Sequence, residues 1–114
     1  MNTHPDFSVF AADADRAAGL LSAMANAKRL LVLCYLADLG EVPVSKIADE
    51  VGLSQSALSQ HLAKLRADGL VATRRDAQTI FYRLDDERVL QLLQLLRDMF
   101  CPELASSPRK GGRK

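Results

Sequence analysis

Leu53-Ser54-Gln55-Ser56-Ala57-Leu58-Ser59-Gln60-His61-Leu62-Ala63-Lys64-Leu65-Arg66-Ala67-Asp68-Gly69-Leu70-Val71 is the stretch on which the fold turns. Ser54 supplies a side-chain oxygen able to cap a helix N-terminus. Gln55 to Ala67 then runs without a breaker, and Asp68-Gly69 closes the run, with glycine suited to a left-handed C-terminal position. Immediately upstream, Pro43 opens a segment in which Ser45 caps a second, shorter helix over Lys46 to Val51, stopped by Gly52. Two short helices joined through a glycine-containing turn form a helix-turn-helix arrangement. With Leu58 set inward, a turn of about 100° per residue brings Leu62 and Leu65 to the same side. Ser56, Ser59, Gln60, Ala63 and Lys64 then face outward.

Downstream of Gly69 the pattern changes from helical to extended. Leu70-Val71-Ala72-Thr73 and Thr79-Ile80-Phe81-Tyr82-Arg83-Leu84 have β-type composition, with Arg74 to Gln78 between them. This predicts a hairpin with a polar, basic tip, a wing. The connection contains no glycine, which predicts a turn longer than two residues. Upstream, Phe10, Ala14, Ala17, Leu21 and Met24 are spaced for a first helix ending near Met24. Asn26 caps a second helix through Leu39, stopped by Gly40, and its near-continuous apolar surface (Leu30 to Leu36) places it at the centre. A last helix begins near Asp85-Asp86-Glu87, whose carboxylates suit a helix N-terminus, and stops by Pro102. The chain thus reads as one mainly α domain with a β-hairpin wing over residues 10–104. A flexible stretch (1–9) precedes it and a disordered basic tail (105–114) follows. The Leu90 to Phe100 stripe is more apolar than one core requires, so the expected state is a homodimer built from the first and last helices.

Net charge over the 114 residues is only +1, but its distribution is uneven. Ser54 to Arg83 carries five Lys or Arg against Asp68 and Asp76, the tail from Ala105 carries four cations and no acid, and the remainder is acidic. Local charge decides attraction to phosphate. The outward face of the Gln55 to Ala67 helix is small and polar, where a solvated face ordinarily carries more Lys and Glu. Small residues permit close entry to a major groove, Gln pairs with adenine and Ser reaches several base edges. The candidate contacts with double-stranded operator DNA are therefore Ser54, Gln55, Ser56, Ser59, Gln60, His61 and Lys64, with Arg74 and Arg75 at the wing tip. His61, beside the inward arc, reads as a half-buried residue that orients the helix or touches a phosphate. Their bland alternatives are a plain amphipathic helix and a solvated turn. No apolar run approaches the roughly 18 residues that span a bilayer, and the first ten residues lack the pattern of a secretory signal. A cytoplasmic protein with no membrane partner is expected.

The recognition-helix segment followed by Thr79 to Leu84 resembles the ArsR/SmtB family of dimeric winged helix-turn-helix repressors. The likeness extends from about Ala11 to Cys101, and Met24 to Leu30 resembles that family's first helix junction. Many members sense metals. One family site uses a Cys-x-Cys pair on the helix before the recognition helix, where this chain has Pro43-Val44-Ser45-Lys46-Ile47. Another uses Asp and His on the final helix, where this chain has Asp85 and Asp86 but no His. No metal and no cofactor is therefore expected. Cys34 and Cys101, the only cysteines, match those of a metal-free subgroup that includes persulfide sensors of the BigR and SqrR type and the regulator HlyU. The resemblance implies thiols that join by a disulfide or polysulfide bridge in response to a persulfide or oxidant and switch operator binding. The simpler reading is one buried small residue and one surface accident. Other functions are weaker. A regulator with no inducer needs no thiols. A thiol enzyme lacks a Cys-x-x-Cys motif and leaves the recognition helix unexplained. A purely protein-binding winged helix does not account for the small polar face.

Overall fold

The computed structural model describes residues 5–101. Five helices and three strands follow in the order α1 (Pro5–Met24), α2 (Ala27–Leu39), β1 (Glu41–Pro43), α3 (Val44–Val51), α4 (Gln55–Ala67), β2 (Val71–Asp76), β3 (Thr79–Leu84) and α5 (Glu87–Phe100). The expected tail, 105–114, and the first four residues lie outside the described residues. The mainly α architecture with a hairpin wing is as expected. α1, however, starts at Pro5 and not near Phe10, taking in half of the stretch expected to be loose.

The junction between α1 and α2, which meet at 91°, shows why particular residues stand there. Asn26 accepts hydrogen bonds from the backbone N–H groups of Lys28 and Arg29, two of the donors that a helix start leaves unpaired. The Arg29 side chain turns back and donates to the Ala23 carbonyl at 2.7 Å, with Ser22 at 3.5 Å. A cation thus lies on the negative end of α1. Lys28 does the same for α3, donating to the Val51 carbonyl at 3.3 Å.

α2 is central, packing against α3, α4, α5 and the sheet. Val32, Leu33 and Leu36 are buried, whereas Leu31 and Leu39 stay half exposed, so its apolar surface has one open side. Leu58, Leu62 and Leu65 of α4 are buried as the helical spacing requires. Each stabilises the fold by about 1.5–3 kcal/mol. α4 ends in a Schellman motif: Leu70 N–H donates to the Leu65 carbonyl and Gly69 N–H to that of Arg66, with Gly69 at φ +79° supplying the left-handed step. α3 departs from expectation. It begins at Val44, with Pro43 at the N-cap and no side-chain cap, so Ser45 is inside the helix.

The sheet corrects the predicted wing in two ways. It has three antiparallel strands in the order β1-β3-β2, because Glu41-Val42-Pro43 pairs with Arg83-Tyr82-Phe81. Three residues are too few to show an alternating pattern. The hairpin ladder also runs further than expected, through Arg75↔Ile80 to Asp76↔Thr79. The turn is thus the two residues Ala77 and Gln78, without glycine, and Ala77 takes φ +57°. A short hairpin turn matched to strand twist requires positive φ, and here an alanine adopts it.

α1 is held chiefly at its C-terminal end. Ala23 and Met24 enter the core and Leu20 packs beside it. Phe7, Val9, Phe10 and Leu21 are more than half exposed, as are Leu95, Met99 and Phe100 of α5.

Candidate nucleic-acid interface and thiol pair

α4 presents the expected face. Gln55, Ser56, Ser59, Gln60, Ala63 and Lys64 are exposed and His61 is half-buried. Ser54 caps the helix, its Oγ accepting from Ala57 N–H at 3.2 Å with Ser56 Oγ 3.4 Å away. The Ser54 hydroxyl is therefore committed in part to the fold. Lys64 pairs with Asp68 one turn on, 3.1 Å apart and half exposed. A groove of about 490 Å3 separates α4 from the sheet, with Ser59, Ala63 and Arg66 on one side and Tyr82 on the other.

The two wing arginines differ, although sequence reasoning paired them at the tip. Both lie within β2, opposite Phe81 and Ile80. Adjacent strand residues point to opposite faces, so Arg74 shares a face with Phe81, Arg83 and Glu41 and Arg75 lies on the other. Arg74 reaches across β3 to β1: its guanidinium sits 4.6 Å from the centroid of the Phe81 ring and donates to both Glu41 carboxylate oxygens, at 2.8 and 3.1 Å. The two bonds from Arg74 hold the Glu41 carboxyl below the usual carboxylate range, with Arg83 adding to the effect. Arg74 is a strut across three strands. Arg75 is exposed and has no ion-pair partner among the described residues. Arg66 and Arg83 are exposed cations on the same unit. The sequence reading counted them in the local charge without assigning them as contacts.

The second constellation joins α2 to α5. Cys34, on α2, is half-buried, and so is Cys101, just past the end of α5; both are free thiols. Cys101 N–H donates to the Arg97 carbonyl at 2.7 Å. The Arg97 side chain is only 18 % exposed and forms a forked pair with Asp38 on α2, at 2.8 and 2.9 Å. Nη2 of the same guanidinium lies 3.5 Å from the Cys34 carbonyl oxygen. Burial pushes the Cys34 thiol up from its ordinary range, and the positive charge of the Arg97 guanidinium opposes this. Asp38 and Cys101 add smaller upward pushes. Sequence reasoning found the two cysteines but missed Arg97, 63 residues from Cys34. Nothing in its local sequence distinguishes it from a surface arginine. Among the described residues no three His, Cys, Asp or Glu side chains form a group able to hold a metal ion. No single described helix is long and apolar enough to cross a membrane.

Comparison with known proteins places this architecture. The family described as "Bacterial regulatory protein, arsR family" matches residues 26–73, which run from the α2 cap into β2. The nodulation protein NolR of Rhizobium meliloti is 59% identical over 88 residues, 77% of this chain and 71% of that protein. The transcriptional activator HlyU of Vibrio cholerae is 51% identical over 86 residues, 75% of this chain and 79% of that one. Among solved structures, the transcriptional repressor BigR of Xylella fastidiosa superposes with a TM-score of 0.78 at 36% identity, covering 82% of this chain and 95% of BigR. HlyU and BigR are named as transcriptional regulators, and none of the three is named as an enzyme. The chain belongs to the arsR family of bacterial regulatory proteins and is a winged helix-turn-helix transcriptional regulator.

Proposed function

We propose that this regulator is a cytoplasmic, homodimeric repressor that releases double-stranded operator DNA when Cys34 and Cys101 become joined through sulfur. In this reading α4 enters the major groove. Gln55, Ser56, Ser59 and Gln60 read base edges while Ser54, His61 and Lys64 steady the helix on the backbone. Arg75 contacts phosphate from the wing, and Arg74 contributes as the strut that fixes the wing's angle. Two copies meet through the apolar residues that α1 and α5 leave uncovered, setting two α4 helices on successive half-sites. The BigR name supports repression for a close structural relative, although HlyU is named an activator.

The observation that supports the switch is that Cys34 on α2 and Cys101 at the end of α5 both contact Arg97, Cys34 through its carbonyl and Cys101 through its backbone N–H. α2 supports α4, and α5 is the expected dimer helix. A covalent link between Cys34 and Cys101 thus couples the reading head to the interface. About 1.4 kcal/mol changes an affinity tenfold, so release requires a bias of several kcal/mol between dimer shapes, which a covalent bond can impose. The inducer is a persulfide or another thiol oxidant, and neither metal nor cofactor takes part. The test is DNA binding by Cys34→Ser and Cys101→Ser, each alone, with and without a persulfide donor. Both variants are expected to bind and to ignore the donor. Release of DNA by either treated variant refutes the two-thiol switch; a parent protein that keeps its DNA in the presence of the donor favours an arsR-type regulator without an inducer.

A further inference from the structure

We propose that Arg97 is the positioning residue of the thiol pair: its guanidinium, clamped by Asp38, holds Cys34 toward the end of α5 and supplies the positive charge that offsets burial and keeps Cys34 able to attack as a thiolate. The proposal deepens the switch above and rests on that reading. Three contacts carry it. The Arg97 carbonyl accepts from the backbone of Cys101. Its guanidinium lies against the Cys34 backbone and is fixed by two short bonds to Asp38. One residue thus fixes both partners of the reaction, with its charge at Cys34. Exposure decides which charge dominates there. Arg97 is 18 % exposed, whereas Asp38 is 48 % exposed, and solvent screens the carboxylate more strongly than the cation. The charged or titratable groups acting on Cys34 are Arg97 from α5, Asp38 from α2 itself and Cys101 after α5. Burial disfavours the Cys34 thiolate and Arg97 is the one group among these that favours it.

The chemistry balances with a low-molecular-weight persulfide, RS–SH, as oxidant. Cys34 gives its proton to solvent, and the thiolate attacks the terminal sulfur of the persulfide. The RS–S bond breaks, and RS− leaves with the electron pair and is protonated to RSH. Cys34 now carries –S–SH. The Cys101 thiolate, its proton also lost to solvent, attacks the sulfur attached to Cys34, and hydrosulfide leaves. The two cysteines have lost two electrons to form a disulfide, and the outer sulfur of the persulfide has been reduced to sulfide. Thiolate, and not thiol, is the nucleophile, so a residue that raises the thiolate fraction at Cys34 sets the rate of the first step.

The experiment measures the rate at which Cys34, in full-length Cys101→Ser protein, reacts with an aromatic disulfide as a function of pH. The thiolate attacks the probe's S–S bond, forms a mixed disulfide and expels an arylthiolate that is read by absorbance. Arg97→Gln is expected to move the midpoint upward by about one pH unit, a rate about tenfold lower near neutrality, with the high-pH limit unchanged. Arg97→Lys, which keeps the charge, should recover most of the rate. Asp38→Asn, which keeps an acceptor for the guanidinium and removes the opposing charge, should move the midpoint down, and it provides a test even if Arg97→Gln folds poorly. Superimposable profiles for Arg97→Gln and the parent overturn the proposal. So does an equal loss in Arg97→Lys, which marks a packing role, or an unmoved or raised midpoint in Asp38→Asn. These profiles contain no DNA. If the thiol switch fails and the shifts remain, the operator-release reading falls and the role of Arg97 stands; the reverse result separates them the other way.

Discussion

Neighbouring arginines on one strand are expected to make unequal contributions to DNA binding. Arg75 is exposed, with no ion-pair partner among the described residues. Arg74 spends its guanidinium on Glu41 and Phe81. Each phosphate neutralised by a protein cation contributes about 0.9 to the slope of log affinity against log salt. If Arg75 contacts one phosphate per protomer, Arg75→Ala lowers the slope of the dimer by about 1.8. Raising salt from about 50 to 200 mM is a fourfold change, so the affinity deficit of the variant shrinks by roughly tenfold across that range. The contrasting variant is Arg74→Gln with Glu41→Gln, which removes the strut while conserving local charge. It should leave the slope intact and change affinity only through the wing's position. Fluorescence anisotropy of a short labelled duplex across that salt series measures both. Equal flattening of the slope in the two variants refutes the assignment of Arg74 as a strut, and an unchanged slope in Arg75→Ala removes Arg75 from the interface.

Gln60→Ala is expected to lose about 1–3 kcal/mol per half-site on operator DNA and almost nothing on random duplex; equal losses on both exclude Gln60 as a base reader. Leu95→Glu places two unpaired carboxylates in each dimer interface, at several kcal/mol each. Sedimentation should then show monomers at micromolar concentration while the parent remains dimeric; a parent that sediments as a monomer refutes the α1–α5 interface. Asp86 caps α5 and pairs with Arg88, and that pairing holds its carboxyl below the ordinary range. A lowered folded-state pKa adds stability above the ordinary Asp value and loses it as pH falls through the folded value. Asp86→Ala should therefore cost about 1 kcal/mol at neutral pH, and denaturant curves of the two proteins should converge in acid, below about pH 4. A gap that stays constant with pH contradicts the role of the carboxylate charge.

What the sequence revealed and what it hid divide along the range of the interactions involved. Asn26, Ser54, Asp86 and Gly69 act on backbone groups within a few residues, so their chemistry marks helix ends directly. The inward side of α4 followed from the spacing of Leu58, Leu62 and Leu65 alone. β1 stayed hidden because Glu41 to Pro43 is a strand only by pairing with β3, some forty residues on. The turn at Ala77 and Gln78 was misjudged because glycine is the usual signal for positive φ, and here the flanking ladder imposes it on alanine. The strut from Arg74 required a register across three strands, and the contact of Arg97 with Cys34 required the packing of α5 on α2. Ser45 illustrates the opposite failure: a sound capping residue stood one step inside a helix that begins at Val44, with Pro43 in the cap position.

The exposed length of α1 has a consequence for abundance. A helix of 20 residues extends about 30 Å, yet this one is anchored chiefly through Leu20, Ala23 and Met24, and isolated helices are marginal in water. In the proposed dimer, the second copy supplies the missing cover, so assembly and completion of the fold are one equilibrium. The melting temperature then rises with protein concentration. A cell that makes few copies also keeps a larger fraction as monomers with frayed N-terminal helices, open to proteolysis. The same apolar contacts would therefore set a lower limit on the number of molecules at which this regulator persists.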